Sequence, residues 1–221
     1  KQFVGPELLG KTLGVIGLGA IGVMVANAAR SLGMKVIGYD PYISIESAWG
    51  LSHDVQRALN MDQLLSVSDY VTLHVPLMDN TKRFIGEAEI AKMKPGAVLL
   101  NFARNGLVEY EPLLKALDEG RLFRYVTDFP NARLLEHEKV ISIPHLGAST
   151  PESEENCAKM AAMQLRDYLE TGDIVNSVNM PCAVLPFTGR FRIAVIHKNI
   201  SGMVGKMTAI LAASGANITD M

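Results

Sequence analysis

Cysteine is scarce in this 221-residue chain, and its scarcity excludes more than any abundant residue does. Only Cys157 and Cys182 occur, far apart and outside any metal-ligand spacing. Neither a disulfide framework nor a metal site is in view, and reduced thiols point to the cytoplasm. No run of about 18 apolar residues reads as a membrane span, and no basic-then-apolar leader opens the chain. A surplus of one charge is missing too, since 21 Lys and Arg stand against 23 Asp and Glu for a net charge of −2. That balance argues against nucleic acid or an anionic membrane as the main partner. What the chain does have is 48% apolar residues, enough at this length to bury a real core. It opens on Lys1 and stops at Met221 in a segment just beginning to read as a strand, so it is read as a piece of a longer protein.

The stretch Gly14-Val15-Ile16-Gly17-Leu18-Gly19-Ala20-Ile21-Gly22 organises the rest of the chain. It reads as a buried strand, a glycine turn and the start of a helix. Gly17, Gly19 and Gly22 fit the G-x-G-x-x-G spacing, which lets a backbone turn sharply and approach a pyrophosphate. Backbone N–H groups at the helix start then face the anion. A plain strand-to-helix turn is the alternative. Downstream, Ala20 to Leu32 is helical in pattern, Gly33 stops it, and Lys35 to Tyr39 is a second strand. Asp40 comes 18 positions after Gly22, the separation of an acid that takes the adenosine ribose hydroxyls. A ribose phosphate about 4 Å from that carboxylate would be repelled by roughly 4 kcal/mol, so NAD is expected over NADP. The other reading of Asp40 is a turn residue before Pro41.

Strands and helices then alternate. Pro41 to Gly50 reads as a loop over which the lone Trp49 packs, and Met61 to Ser68 as a helix. Asp69 to Val75 is a third strand, Glu87 to Met93 a helix and Ala97 to Asn101 a fourth strand. Glu111 to Glu119 is a helix, Tyr125 to Asp128 a fifth strand and Val140 to Ile143 a sixth. The Gly10-Lys11 turn before the first strand suits a sheet edge. This alternation predicts an α/β fold, a doubly wound parallel sheet with chemistry at the strands' C-terminal ends. Thr150-Pro151-Glu152 caps and opens a long helix that ends at Gly172. The domain reading is therefore a dinucleotide-binding domain over 1–172, a linker over 173–189 and a partial β-α-β unit over 190–221. That last unit is too short to bury its own face without further sequence or a partner chain.

Three polar groups fall where strand ends converge: Arg104 after the fourth strand, Asp128 at the end of the fifth, and His145 after the sixth. Oxidising an alcohol carbon needs a group that takes the hydroxyl proton and a cation that holds a carboxylate. An imidazole and a guanidinium suit those tasks. Each could instead be a loop histidine or a surface ion-pair arginine.

These residues resemble the NAD-dependent D-isomer-specific 2-hydroxyacid dehydrogenases. The resemblance runs from Phe3 to about Val178. It rests on Glu7-Leu8-Leu9-Gly10-Lys11-Thr12, Gly17 to Gly22, Gly38-Tyr39-Asp40-Pro41, His74-Val75-Pro76-Leu77, Asn101 to Val108 and Pro144 to Thr150. It implies that Arg104 orients substrate and that His145 is the general acid/base. The cofactor would be lined by Gly17, Gly19, Ala20, Ile21, Gly22, Asp40, Val75, Pro76, Ala103, Arg104, Asp128, His145, Gly147 and Ala148, with Asp128 near the nicotinamide amide. One departure stands out. The family places a glutamate a few residues past the Asp128 position, where it bonds the catalytic histidine, but Thr127-Asp128-Phe129-Pro130-Asn131-Ala132-Arg133 holds no acid there. Glu136 or Glu138 could substitute; without a carboxylate the imidazole would be less basic and less well oriented.

The tail resembles the start of an ACT regulatory domain, with a strand at Phe191 to Ile196, a helix near Met203 to Ser214 and a second strand at Gly215-Ala216-Asn217-Ile218. That likeness makes His197, Asn199 and Asn217 candidates for an L-serine effector site at a subunit interface of a homodimer or homotetramer. Ordinary turn and strand-edge roles are the alternative. It also favours a phosphorylated 2-hydroxy acid as the small-molecule substrate, over glycerate, lactate or formate. A non-catalytic NAD-sensing scaffold is the competing reading, supported by the missing glutamate.

Overall fold

The structure, a computed structural model, describes residues 5–186 and 191–221. The start of the resemblance at Phe3 and the end of the linker at Gly189 lie outside the described residues. The chain divides into two units, Lys1–His145 and Leu146–Met221.

In the first unit strands and helices alternate: β1 (Thr12–Ile16), α1 (Ala20–Ser31), β2 (Lys35–Tyr39), α2 (Ile45–Gly50), β3 (Gln56–Arg57), α3 (Met61–Val67) and β4 (Tyr70–Leu73). Then come α4 (Glu87–Lys92), β5 (Ala97–Asn101), α5 (Tyr110–Asp118), β6 (Leu122–Thr127), α6 (Ala132–Leu135) and β7 (Val140–Ser142). The strands form one sheet in the order β3-β2-β1-β4-β5-β6-β7, every pairing parallel. Strand order reverses between β1 and β4, and in such a sheet the crevice at that switch takes the ligand.

The apolar runs of the central strands are buried on both faces, as a sheet covered by two helical layers requires. Leu13 and Val15 pack with Val23, Ala26 and Ala29 of α1, whose buried positions recur at helical spacing. Ile16, Val71, Leu73 and Leu99 pack on the other face with Leu64, Leu65, Leu113 and Leu117. Between Leu13 and Val15, Gly14 lets α3 close on β1: a Cβ there would lie 2.5 Å from Leu64 Cδ2 and 2.4 Å from Ser68 Oγ.

The second unit holds α7 (Pro151–Thr171) and α8 (Met203–Ala213). Thr150 Oγ1 accepts from the Ser153 N–H at 3.1 Å, Pro151 opens α7, and Gly172 closes it with φ +78°. Neither helix buries a residue, and none in the described residues is long and apolar enough to cross a membrane.

Several expectations need correction. The segment read as a loop over 41–50 contains α2, capped by Ser44, and Trp49 is 86% exposed rather than packed. The sheet gains a seventh strand, β3, two exposed residues held by pairing with Ile37 and Gly38. The Gly10-Lys11 turn leads into β1, an interior strand, not an edge. The long helix α7, read as the end of the 1–172 domain, lies in the second unit. In the linker, Ile174 and Ala183 form an antiparallel bridge. The tail contains α8 but no strand in its described residues: a lone strand needs a hydrogen-bonding neighbour, and none is present there.

Candidate dinucleotide and substrate site

The turn after β1 requires its glycines. Gly17 has φ +93°, and a Cβ on it would lie 2.6 Å from the carbonyl oxygen of His74. A Cβ on Gly22 would lie 2.0 Å from the Gly17 carbonyl oxygen. Gly19, in contrast, faces open space, with nothing within 4 Å of a Cβ. It is the N-cap of α1 and supplies no capping side chain, and the first turn carries no acid. The first N–H donors of the helix are therefore left to an external anion.

Asp40, after β2, is fixed by two backbone donors: Oδ2 accepts from the Leu18 N–H and Oδ1 from the Tyr42 N–H, each at 2.8 Å. The acid thereby ties the glycine turn to the end of β2. His74, after β4, walls the turn from the other side. Its Nε2 pairs with Thr72 Oγ1 at 3.0 Å, and burial pushes the imidazole below its usual pKa, so it is neutral at pH 7. Val75 is half-buried and Pro76 exposed, while Ala20 and Ile21 lie exposed in the first turn of α1. An open glycine turn, free helix donors and a fixed acid fit an adenine dinucleotide.

A second group forms along the ends of β5, β6 and β7. Register pairs Asn101 with Thr127 and Thr127 with Ser142, so Arg104, Asp128 and His145 follow neighbouring strands at one sheet edge. His145 Nδ1 meets Asp128 Oδ2 at 2.8 Å. The imidazole also lies against the Phe129 ring, with centroids 4.7 Å apart. Asp128 is 7% exposed, and its Oδ1 is buried without a hydrogen-bond partner. Such an orphan acceptor fits an N–H donor arriving with a ligand.

Arg104 is exposed. Its Nη1 donates to the Ala103 carbonyl at 2.7 Å, and among the described residues it forms no ion pair. The loop that carries it is shaped by Asn101, 1% exposed, whose Oδ1 accepts from the Ala103 N–H at 3.2 Å and whose Nδ2 donates to the Arg104 carbonyl at 3.0 Å. Tyr125 lies beneath, its phenol pushed by burial up to about 12.

Glu136 and Glu138, the acids read as stand-ins for the missing glutamate, are both exposed, and the carboxylate at His145 belongs to Asp128. Gly147 and Ala148 fall in the second unit. In that unit His197 Nδ1 donates to the Lys198 carbonyl at 2.9 Å, and Asn199 and Asn217 are exposed in irregular backbone. Sequence reasoning missed Asn101, Phe129 and the His74 carbonyl. Only Asn101 left a local signal, a polar residue closing an apolar strand.

The family model for the NAD binding domain of D-isomer specific 2-hydroxyacid dehydrogenases matches residues 1–147, and the chain belongs to that family. NAD is the cofactor of this domain family. The D-3-phosphoglycerate dehydrogenase of Methanocaldococcus jannaschii is 41% identical over 187 residues, which cover 82% of this chain and 35% of that protein. D-3-phosphoglycerate dehydrogenase 2, chloroplastic, of Arabidopsis thaliana is 34% identical over 228 residues, covering 100% of this chain and 36% of the relative. Among solved structures, a glyoxylate reductase from Paecilomyes thermophila matches with a TM-score of 0.70 at 32% identity, over 80% of this chain and 54% of that one. The chain spans about a third of the length of these curated relatives.

Proposed function

We propose that this chain is the NAD-binding part of an enzyme that oxidises 3-phospho-D-glycerate to 3-phosphohydroxypyruvate, the entry to serine synthesis. The observation that carries the reading is the pair of His145 and Asp128 at the same sheet edge as Arg104, after three neighbouring strands. When bound, NAD supplies the hydride acceptor. The glycine turn holds its pyrophosphate and Asp40 its ribose. Arg104 grips the substrate carboxylate with a fixed fork of donors, and His145 takes the hydroxyl proton on Nε2. The choice of phosphoglycerate over a glycerate, lactate or formate type of substrate leans on the names of the relatives and on the ACT-like tail. That tail would place L-serine at His197, Asn199 and Asn217, between subunits of a homodimer or homotetramer in the cytoplasm. The NAD-sensing scaffold drew its support from the missing glutamate, and a carboxylate at Nδ1 weakens that support.

The test is NADH formation followed by absorbance in the full-length protein and its His145→Ala variant. Turnover with 3-phospho-D-glycerate, lost by at least about 100-fold in the variant, is the expected result. Turnover only with another D-2-hydroxy acid overturns the substrate. Undiminished turnover in the variant overturns the role of His145.

A further inference from the structure

We infer that Asp128 is the positioning residue of His145: the same carboxylate that closes β6 selects which nitrogen of the imidazole carries the proton. The inference rests on the reading of His145 as the proton acceptor, and it concerns what makes that acceptor competent.

The two side chains are brought together by the sheet itself. β6 and β7 run side by side to Thr127 and Ser142, and the Ile143 N–H donates to the Thr127 carbonyl at 3.0 Å, extending the pairing by one residue. Asp128 is the next residue on one strand, and His145 stands two beyond Ile143 on the other. The turn after β6 is drawn in by the Phe129 N–H, which donates to Thr127 Oγ1 at 3.1 Å, and Phe129 then lies against the imidazole. An imidazole whose side chain is 56% exposed would otherwise be free to rotate and to exchange tautomers. Here a ring contact and a hydrogen bond fix it on two sides.

The chemistry of the contact sets the tautomer. An ionised carboxylate only accepts, so at 2.8 Å from Oδ2 the Nδ1 must carry hydrogen. Nε2 is then left with its lone pair, and it is the nitrogen directed away from the protein partner. A proton gained there creates an imidazolium whose Nδ1–H still donates to the carboxylate. Asp128 is not committed elsewhere: among the described residues its one ion-pair partner is His145, and Oδ1 has no hydrogen-bond partner. Glu136 and Glu138, the other acids of this segment, are exposed. The shortened run after β6 thus leaves Asp128 with Oδ2 on the imidazole and Oδ1 buried without a protein partner, so one residue could carry both the imidazole contact and the nicotinamide contact expected of it.

Nitrogen-15 spectra of the imidazole in the 221-residue chain without cofactor read the tautomer directly. They are taken near pH 8.5, about two units above the ordinary imidazole pKa of about 6.5. The expected spectrum shows protonated Nδ1 and unprotonated Nε2 for His145. Asp128→Leu, similar in shape but without an acceptor, moves the proton to Nε2, the preference of a free imidazole. Asp128→Asn, a second variant should the first not fold, gives a mixture, and Glu136→Gln leaves the spectrum unchanged. A wild-type ring protonated on Nε2, or a spectrum unmoved by the Asp128 substitutions, overturns the inference. In the full-length enzyme Asp128→Asn lowers kcat by about 10- to 1000-fold, with a smaller change in the substrate KM. If His145→Ala abolishes turnover while Asp128→Asn keeps the wild-type kcat, the inference alone fails. If His145→Ala keeps turnover, the functional reading fails while the spectra still score the pair.

Discussion

Both units of this chain contain helices with apolar residues, and among the described residues only the first unit has a buried core. In the first unit, α1 buries Gly22, Val23, Ala26 and Ala29 against the sheet, and α5 buries Leu113, Ala116 and Leu117. In the second, α8 is apolar almost all round, with Lys206 and Thr208 as its polar exceptions, yet it buries nothing and Ile210 is 70% exposed. The difference is the layer, not the helix. A sheet offers two broad faces on which helices can close, whereas a helix without a neighbouring layer keeps its side chains in water. Each Leu or Ile so exposed forgoes about 1.5–3 kcal/mol of burial. A helix apolar on all sides is a sequence written for a surrounded position.

That contrast is most exposed to test in the cores. Leu64→Ala, at a site with no solvent exposure beneath β1, should cost about 2–5 kcal/mol by denaturant titration. Ile210→Ala should stay within about 0.5 kcal/mol. Equal losses would erase the distinction between the units. NAD binding should separate them next: Asp40→Ala removes a charged acceptor and should weaken NAD by about 10- to 100-fold by calorimetry, while His197→Ala leaves the affinity unchanged. Gly22→Ala, which drives a Cβ onto the Gly17 carbonyl, should destabilise the first unit by about 1–3 kcal/mol in a thermal melt. Gly205→Ala in α8, with open space around it, should not destabilise the chain.

The smallest effect is in acid. Burial works against ionisation of Asp69, but the Lys94 ammonium and the Thr12 N–H outweigh it and hold the carboxyl below its usual range. A carboxyl whose folded pKa is depressed contributes stability that is complete above its unfolded value, about 3.9, and is lost as pH falls through the folded one. Asp69→Asn should therefore flatten the fall in stability of the first unit below about pH 4, measured as melting temperature against pH.

Local signals made most of the first unit legible. The glycine turn, the Gly33 stop and the apolar strands each carry their cause within a few residues. α2 and β3 carried no such cause: α2 has no buried face, and β3 is strand only because Ile37 and Gly38 are beside it. The tail strands failed for the same reason in reverse, since their apolar residues lacked a neighbour to pair with. At the site, Arg104, Asp128 and His145 were each visible as polar residues after apolar runs. Their grouping came from the alternation of strands. The bond between Asp128 and His145 was not visible, because 17 residues separate them and their meeting depends on the register of β6 with β7.

Asp40 has a consequence for any attempt to change the cofactor. Both of its oxygens are already held by the Leu18 and Tyr42 N–H groups, so the acid braces the glycine turn besides the ribose contact proposed for it. Exchanging it for a small neutral residue to admit a phosphorylated ribose would strip those two amides of their acceptor and slacken the glycine turn. A switch of coenzyme preference in this chain is therefore a task for several positions at once, with a new acceptor for Leu18 installed in the same step as the new specificity.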